Sequence, residues 1–500
     1  MISMSKDRES GLESRFHDSP DRNKLKVFLV IAVSALFIFG GLLVIFDKPV
    51  SNNAPRFIAS PASGSSVTIT VWGSGSPGGE ANVFNQTLAS FEAAYPNITV
   101  TDSPAINVAS TTFTSAAHAG TAPDVYRDTS DNAGALFASG SVLNLTTYLN
   151  SSYVNSFTTG TISDWTLNGG LYGIPINTNG VGLYYNMKYV KKVPTTVNQL
   201  ILCAENITEK HLTAGGKPVY GLPYGIGTDS GYRSAAWFPA FGGAMFNSKE
   251  LPVLNSQADI NAISFLYNLT YSYKVSPQGL TTMTDQEQMF EDNQSAFMID
   301  GPWDQALYTQ YLGKDLNVTS LPYDSATGHW ARPIWGSVGY LISSPQASNI
   351  NNHQIWASLK FIEYMTNYTA QKNLFIQAGD FPSLISVGNF VKTDTAQDPL
   401  AAGWIAQEAH TQIQPSFVNM NYYWPNFHTY VGNLYDNGTN NVSSTMNAFQ
   451  NAVMSEINQL NAKPTTLSAI DYEIIAAVVV IIVVAAAAYV VVLGKKNKKQ

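Results

Sequence analysis

Aromatic and acidic residues gather where short strand-like segments end. Trp72 closes VTITVW, Asp128 and Asp131 follow the run that starts at Asp124-Val-Tyr126, and Trp303 closes FMIDGPW. In open α/β sheets, ligands bind beyond the carboxyl ends of strands. Rings placed there stack on C–H faces, while Asp, Glu and Asn offer fixed acceptors and donors for hydroxyls. That lining suits a polyhydroxylated guest that is held without being transformed. Signals for covalent or metal chemistry are absent from the sequence. The seven His are scattered, and there is no H-E-x-x-H, no Cys/His ligand spacing and no G-x-S-x-G. The turn GSGSPGGE (Gly73–Glu80) lacks the Gly-Lys-Ser/Thr ending of a phosphate loop. Carboxylates sufficient for a glycosidase are present, but spacing nominates no pair. No enzyme activity, catalytic residue, metal or cofactor is therefore expected.

The elements that must position these residues follow from periodicity. VTITVW alternates apolar and polar residues as a strand does. After the Gly-rich turn, Val83, Phe84, Leu88, Phe91 and Tyr95 fall on one helical face, and NITVTD reads as a second strand. Strand, helix, strand opens an α/β domain. Further on, TTFTSAAHAG predicts a helix and APDVYRD a strand. Helical spacing recurs at Ile355, Trp356, Leu359 and Ile362, and again at Met446, Phe449, Val453, Ile457 and Leu460. A tryptophan at a strand end is more often packing than platform, which is the expectation for Trp72. Asp124, just after Pro123, reads as a turn or cap.

The 500 residues are 45% hydrophobic and 12% aromatic, a composition that folds, and only 12% charged. A net charge of −8 argues against nucleic acid as a partner. The single cysteine, Cys203 in LILCAEN, excludes a disulfide framework within the chain. Sequons such as Asn85, Asn97, Asn144, Asn268 and Asn437 permit surface glycosylation. Two uncharged stretches of about twenty residues, Val27–Phe46 and Ile474–Leu493, are long enough to cross a bilayer as helices. Basic residues precede the first and follow the second, which places both termini in the cytoplasm and the remainder outside. Small-residue sites near Ala59 leave a cleaved signal open as the alternative for the first stretch. About 425 residues lie between, more than one core usually serves, so two lobes are expected.

Five segments in order resemble the extracellular solute-binding proteins of ABC importers, the family that includes the maltose-binding protein. They are VTITVW with its Gly-rich turn and Glu80, AGTAPDVYRDTSD (Ala119–Asp131), WTLNGGLYGIPINTNGVGLYYN (Trp165–Asn186), FEDNQSAFMIDGPWDQALY (Phe290–Tyr308) and MNYYWPNF (Met420–Phe427). The likeness spans about 66–462. It implies an α/β, two-lobed, periplasmic-binding-protein-like (type II) fold with a hinge between lobes; the apolar stretches add N- and C-terminal transmembrane helices to that expectation.

Carried over by position, the resemblance puts Ser74, Ser76, Asp128, Asp131 and Asn179 on one lobe's rim, and Tyr232, Trp303 and Trp424 on the other. Glu80, Trp237, Asp304 and Tyr423 join them from local context. The sequence departs from the maltose-binding pattern at Ser76-Pro77, Asp128, Asn132 and Asn179, so a different sugar or a polyol-like ligand is as well supported as maltose. The implied layout is a cytoplasmic basic tail (1–26), an anchor or signal (27–46), a linker (47–65), the binding domain (66–462), a stalk (463–473), a second anchor (474–493) and a Lys-rich cytoplasmic tail (494–500). Lobe 1 would hold about 66–177 and 322–366, and lobe 2 about 180–318 and 372–462. The implied partners are a sugar or oligosaccharide ligand, the ABC permease subunits and the membrane. The implied function is capture by hinge closure and delivery to the permease from the outer face of the cell membrane. A surface sensor or adhesion receptor on the same fold, and a surface glycosidase, stay open as alternatives.

Overall fold

The computed structural model describes residues 60–462, apart from 63–64, 77, 103–108, 227–229, 281, 395–397 and 439–440. Ten strands organise the fold: β1 (Val67–Trp72), β2 (Ile98–Asp102), β3 (Val125–Thr129), β4 (Ile174–Asn179), β5 (Gly182–Asn186), β6 (Phe297–Asp300), β7 (Leu316–Thr319), β8 (Ile334–Ile342), β9 (Phe381–Pro382) and β10 (Gln412–Ile413).

The first lobe is built on a sheet of order β9-β4-β8-β3-β1-β2, with β10 added in parallel beside the start of β8. β1 pairs in parallel with both β2 and β3. This follows from the strand–helix–strand opening, because a parallel neighbour needs a crossover connection. Val67, Ile69 and Val71 are buried while Thr68 and Thr70 face out, so the alternation seen in VTITVW is the pleat itself. β8 enters from far along the chain and runs antiparallel between β3 and β4. The core beneath includes Phe91, Phe113, Tyr126, Trp165, Leu341 and Phe361.

The second lobe centres on β5, flanked by antiparallel β6 and β7. Successive side chains of β5 feed two different clusters. Leu183 and Tyr185 join a large core with Trp237, Leu266, Tyr423, Phe449 and Ile457. Tyr184 points the other way, into a smaller cluster with Phe290, Tyr308, Phe381 and Trp404. The last helix, Val442–Asn461, closes this lobe by burying Met446, Phe449, Val453 and Ile457. Leu460, on the same predicted face, is left exposed near the helix end.

The chain passes from β4 in one sheet to β5 in the other through Gly180 and Val181 only. A Cβ at Gly180 would stand 2.3 Å from the Trp335 ring and 2.7 Å from the Ile334 carbonyl oxygen. Glycine is required there by close approach. Farther along the chain, Leu321, Ala331 and Ile334 pack in the same core as Leu183 and Tyr185. Leu374, Leu384 and Val387 pack in the first lobe, because β9 is hydrogen-bonded to β4 and holds its neighbours on that side.

The expected fold class needs one correction. Transmembrane helices at the two ends are not part of the fold described: among the described residues no helix is long and apolar enough to cross a membrane. The stretches 27–46 and 474–493, on which that expectation rested, lie outside the described residues.

Candidate ligand-binding cleft

The second lobe presents three aromatic rings in a row. Trp303 sits in the turn Pro302–Asp304 that follows β6, Tyr232 in the short helix Ser230–Ser234, and Trp424 in the helix Tyr423–Phe427. The Tyr232 ring centroid lies 6.4 Å from that of Trp303 and 6.3 Å from that of Trp424. All three are half-buried. Two glycines make the row possible. A Cβ at Gly301 would meet the Trp303 ring at 2.1 Å, and one at Gly231 would meet Trp424 at 3.2 Å. The Trp424 Nε1–H is buried without a hydrogen-bond partner among the described residues. A buried donor in that state stabilises whatever acceptor reaches it.

Tyr232 also marks where the lobes meet. Its hydroxyl is shared between the carbonyl oxygens of Asn179 and Ile334, both at 3.1 Å, at the two crossings. Burial, then the carboxylates of Asp131 and Asp164, push its ionisation well above the ordinary tyrosine range. Those two groups of the first lobe therefore stand in the field of the middle ring. On the same side, Gly134 abuts the backbone of Phe417 and Val418 from the second lobe.

The first lobe's candidates divide by what they touch. Ser74 and Ser76 lie half-buried in the turn after β1, where Gly73, Gly75 and Gly78 adopt φ of 99°, 102° and 98°. Only glycine holds such angles readily. Glu80 is 5% exposed and faces inward. Its carboxylate accepts from Arg127 Nη2 at 2.6 Å and from the Ser76 N–H at 2.5 Å. Burial works to raise its pKa, but Arg127 and the hydrogen bonds of Asp380 and Ser76 prevail and hold it low. Asp380 is raised well above the carboxylate range by burial and by the neighbouring Glu80 carboxylate. Asn177 and Asn179 donate to the two Asp380 oxygens at 2.7 and 3.0 Å. Asn179 spends its own oxygen on the Phe381 N–H at 3.3 Å. Glu80 and Asn179 thus brace the first loop and the crossing from behind.

Asp128 and Asp131 are half-buried at the end of β3. Asp128 accepts from the Thr129 N–H at 2.8 Å and from Asn132 Nδ2 at 3.0 Å. Burial, then repulsion from Asp131, raise its pKa to about 7. Asp164, which sequence reasoning did not single out, is raised to about 7 by burial while the Ser337 hydroxyl donates to it at 2.7 Å.

Two further candidates belong to the core. Trp237 is 0% exposed and packs on Phe265 at 4.6 Å, and Tyr423 is 0% exposed beneath Trp424 at 4.9 Å. Asp304 is half-buried and raised to about 9 by burial and by the nearby Asp300 and Glu287. Those three carboxyls come within 4.8 Å of one another, a spacing that could ligate a cation. Arg233 already supplies positive charge there, 2.7 Å from Asp300 and 3.7 Å from Glu287. Asp300 also accepts from the Gly301 N–H at 2.8 Å and from the Tyr308 hydroxyl, so the Arg233–Asp300 pair links the Tyr232 helix to the Trp303 turn. A cavity of about 380 Å³ also opens between the lobes, lined by Ser163 and Asp164 on one side and by Phe246, Asn247, Gln414 and Phe417 on the other. None of the predicted site residues lines it.

The model of the family described as bacterial extracellular solute-binding protein matches residues 86–403. The chain belongs to that family. It is 24% identical over 315 residues to the maltodextrin-binding protein MdxE of Bacillus subtilis, covering 61% of this chain and 71% of that one. A maltooligosaccharide ABC transporter solute-binding lipoprotein of Streptococcus pneumoniae is 24% identical over 267 residues, 51% of this chain and 59% of its own length. In structure, the chain is similar to the maltose/maltodextrin-binding domain MalE from Bdellovibrio bacteriovorus bound to maltotriose. The TM-score is 0.69 at 23% identity, over 78% of this chain and 100% of that one. The fold of this solute-binding protein is accordingly maltose-binding-protein-like.

Proposed function

We propose that this chain captures a sugar, an oligosaccharide long enough to lie across more than one ring, and hands it to the permease subunits of an ABC importer outside the cell. The row of Trp303, Tyr232 and Trp424 carries the reading, since rings about 6 Å apart offer stacking faces to successive sugar units. The names of the related proteins, maltodextrin- and maltooligosaccharide-binding, support the same class of ligand. In this reading Ser74, Ser76, Asp128 and Asp131 meet the sugar from the first lobe, and Asp304 from beside Trp303. Glu80, Asn179, Trp237 and Tyr423 act from behind these groups. Closure is driven by the ligand, which both lobes touch together only when shut, so its differential affinity shifts the population.

Calorimetric titration of the purified protein with maltotriose and longer maltodextrins, with scattering curves recorded alongside, tests this. A saturable signal and a smaller radius of gyration are expected. In Trp303→Ala the affinity falls by about 2–4 kcal/mol. Absence of binding to every oligosaccharide, or an unaltered affinity in Trp303→Ala, would sink the reading.

A further inference from the structure

We propose that the cavity between Asp164 and the Phe246–Phe417 pair is a second binding site, apart from the aromatic row, and that it takes a small neutral polyhydroxylated molecule the size of a sugar ring.

At about 380 Å³ the cavity falls within the range of small-ligand pockets, roughly 300–1,000 Å³. Ser163 and Asp164 line it from the first lobe's side, where the Ser337 hydroxyl of β8 donates to Asp164 at 2.7 Å. Phe246 and Phe417, which pack against the second lobe's core, line it from the other, with ring centroids 5.0 Å apart and planes at 83°. Trp303, Tyr232 and Trp424 are not among its lining residues. A guest here would touch both lobes without touching the row.

The polar groups of the lining have bonding capacity to spare. Asp164 is 4% exposed, and among the described residues Ser337 alone donates to it, which leaves part of its acceptor capacity open. Gln414, also 4% exposed, donates to the Pro415 carbonyl oxygen at 3.2 Å, while its side-chain oxygen accepts from no described residue. Asn247 spends its oxygen on the Lys249 and Leu251 N–H groups at 2.9 and 3.2 Å, and its amide N–H groups donate to no described residue. Hydroxyls serve all three, since each one both donates and accepts. Among the described residues no Lys, Arg or His lines the cavity, so nothing there balances an anion. Burial disfavours the charged form of Asp164, so the wall does not call for a cation either. The two phenyl rings offer apolar faces to the C–H groups of the same guest.

The test titrates the purified full chain at pH 7 with three probes that share one ring: glucose, glucuronate and glucosamine. Glucose is expected to bind with a Kd on the order of millimolar, and each charged counterpart about tenfold more weakly. Ile413 lines the cavity yet is 77% exposed, so a larger side chain there blocks the space without disturbing a core. Ile413→Trp should weaken glucose binding about tenfold at an unchanged thermal midpoint. Gln414→Met, which keeps the size and removes the open oxygen, should weaken it about fivefold, and Trp303→Ala should leave it within about twofold. Glucose binding lost in Trp303→Ala but intact in Ile413→Trp would put the probe on the row and overturn the second site while supporting the function proposed above. Absence of a saturable glucose signal, or equal or tighter binding of either charged sugar, also overturns it. Maltotriose is titrated separately, so a failure there removes the oligosaccharide reading and leaves this one to its own result.

Discussion

Replacing Gly301 by alanine displaces Trp303 without removing it. Gly301 has φ −96° and ψ 174°, extended backbone open to any residue, so the added methyl introduces no backbone strain. Its Cβ would nonetheless stand 2.1 and 2.2 Å from two carbons of the Trp303 ring. That is roughly 1.5 Å inside a normal carbon–carbon contact, and the half-buried indole has to swing away. The 6.4 Å spacing to Tyr232 is then lost, and with it one stacking face of the row. A displaced aromatic anchor costs about 2 kcal/mol of binding, roughly 30-fold in Kd. The fold itself should lose only about 1 kcal/mol. Calorimetry with whichever oligosaccharide the wild type binds, beside thermal unfolding of both proteins, separates the two effects. An unchanged Kd in a normally folded Gly301→Ala protein would show that the orientation of Trp303 does not matter to the ligand.

Three other outcomes are expected. Trp424→Phe keeps the stacking face and removes the unpartnered Nε1–H, so thermal stability holds while affinity drops by about 1 kcal/mol; equal affinity would mean that no ligand atom meets that donor. Arg233→Met strands the fully buried Asp300 and should destabilise by about 3–5 kcal/mol in denaturant unfolding, with urea midpoints equal to wild type as the contrary result. Asp164 has its folded pKa raised to about 7 by burial, above the unfolded value near 4. The folded state therefore binds more protons in that window, and its stability falls as pH rises from about 4 to 7. Asp164→Asn lacks this loss, so the stability difference between variant and wild type should grow by on the order of 3 kcal/mol between pH 4.5 and 7.5; a flat difference contradicts the burial of that charge.

Much of the architecture was written in local pattern. The pleat of VTITVW and the helical spacing from Met446 to Ile457 are consequences of side-chain period, and they survive because one face of each element is buried. Long-range packing was harder to read. Leu321, Ala331 and Ile334 are packed in a core assembled from helices distant in the chain, which no local pattern in sequence announces. Site residues were harder still. Tyr423 and Trp424 are neighbours of similar chemistry, yet one helical step turns the first into the core and leaves the second half-open. Glu80 finds Arg127, and Asn177 finds Asp380 203 positions away. No local rule announces which carboxylate is spent internally and which remains for a guest.

Phe381 has a double allegiance. Its backbone is paired with Thr178 in the first lobe's sheet, while its ring packs with Phe375, Trp335 and the cluster behind β5. Any swing of one half against the other would therefore have to re-seat this ring against the cluster behind β5, so a smaller side chain at 381 would alter how the two halves fit.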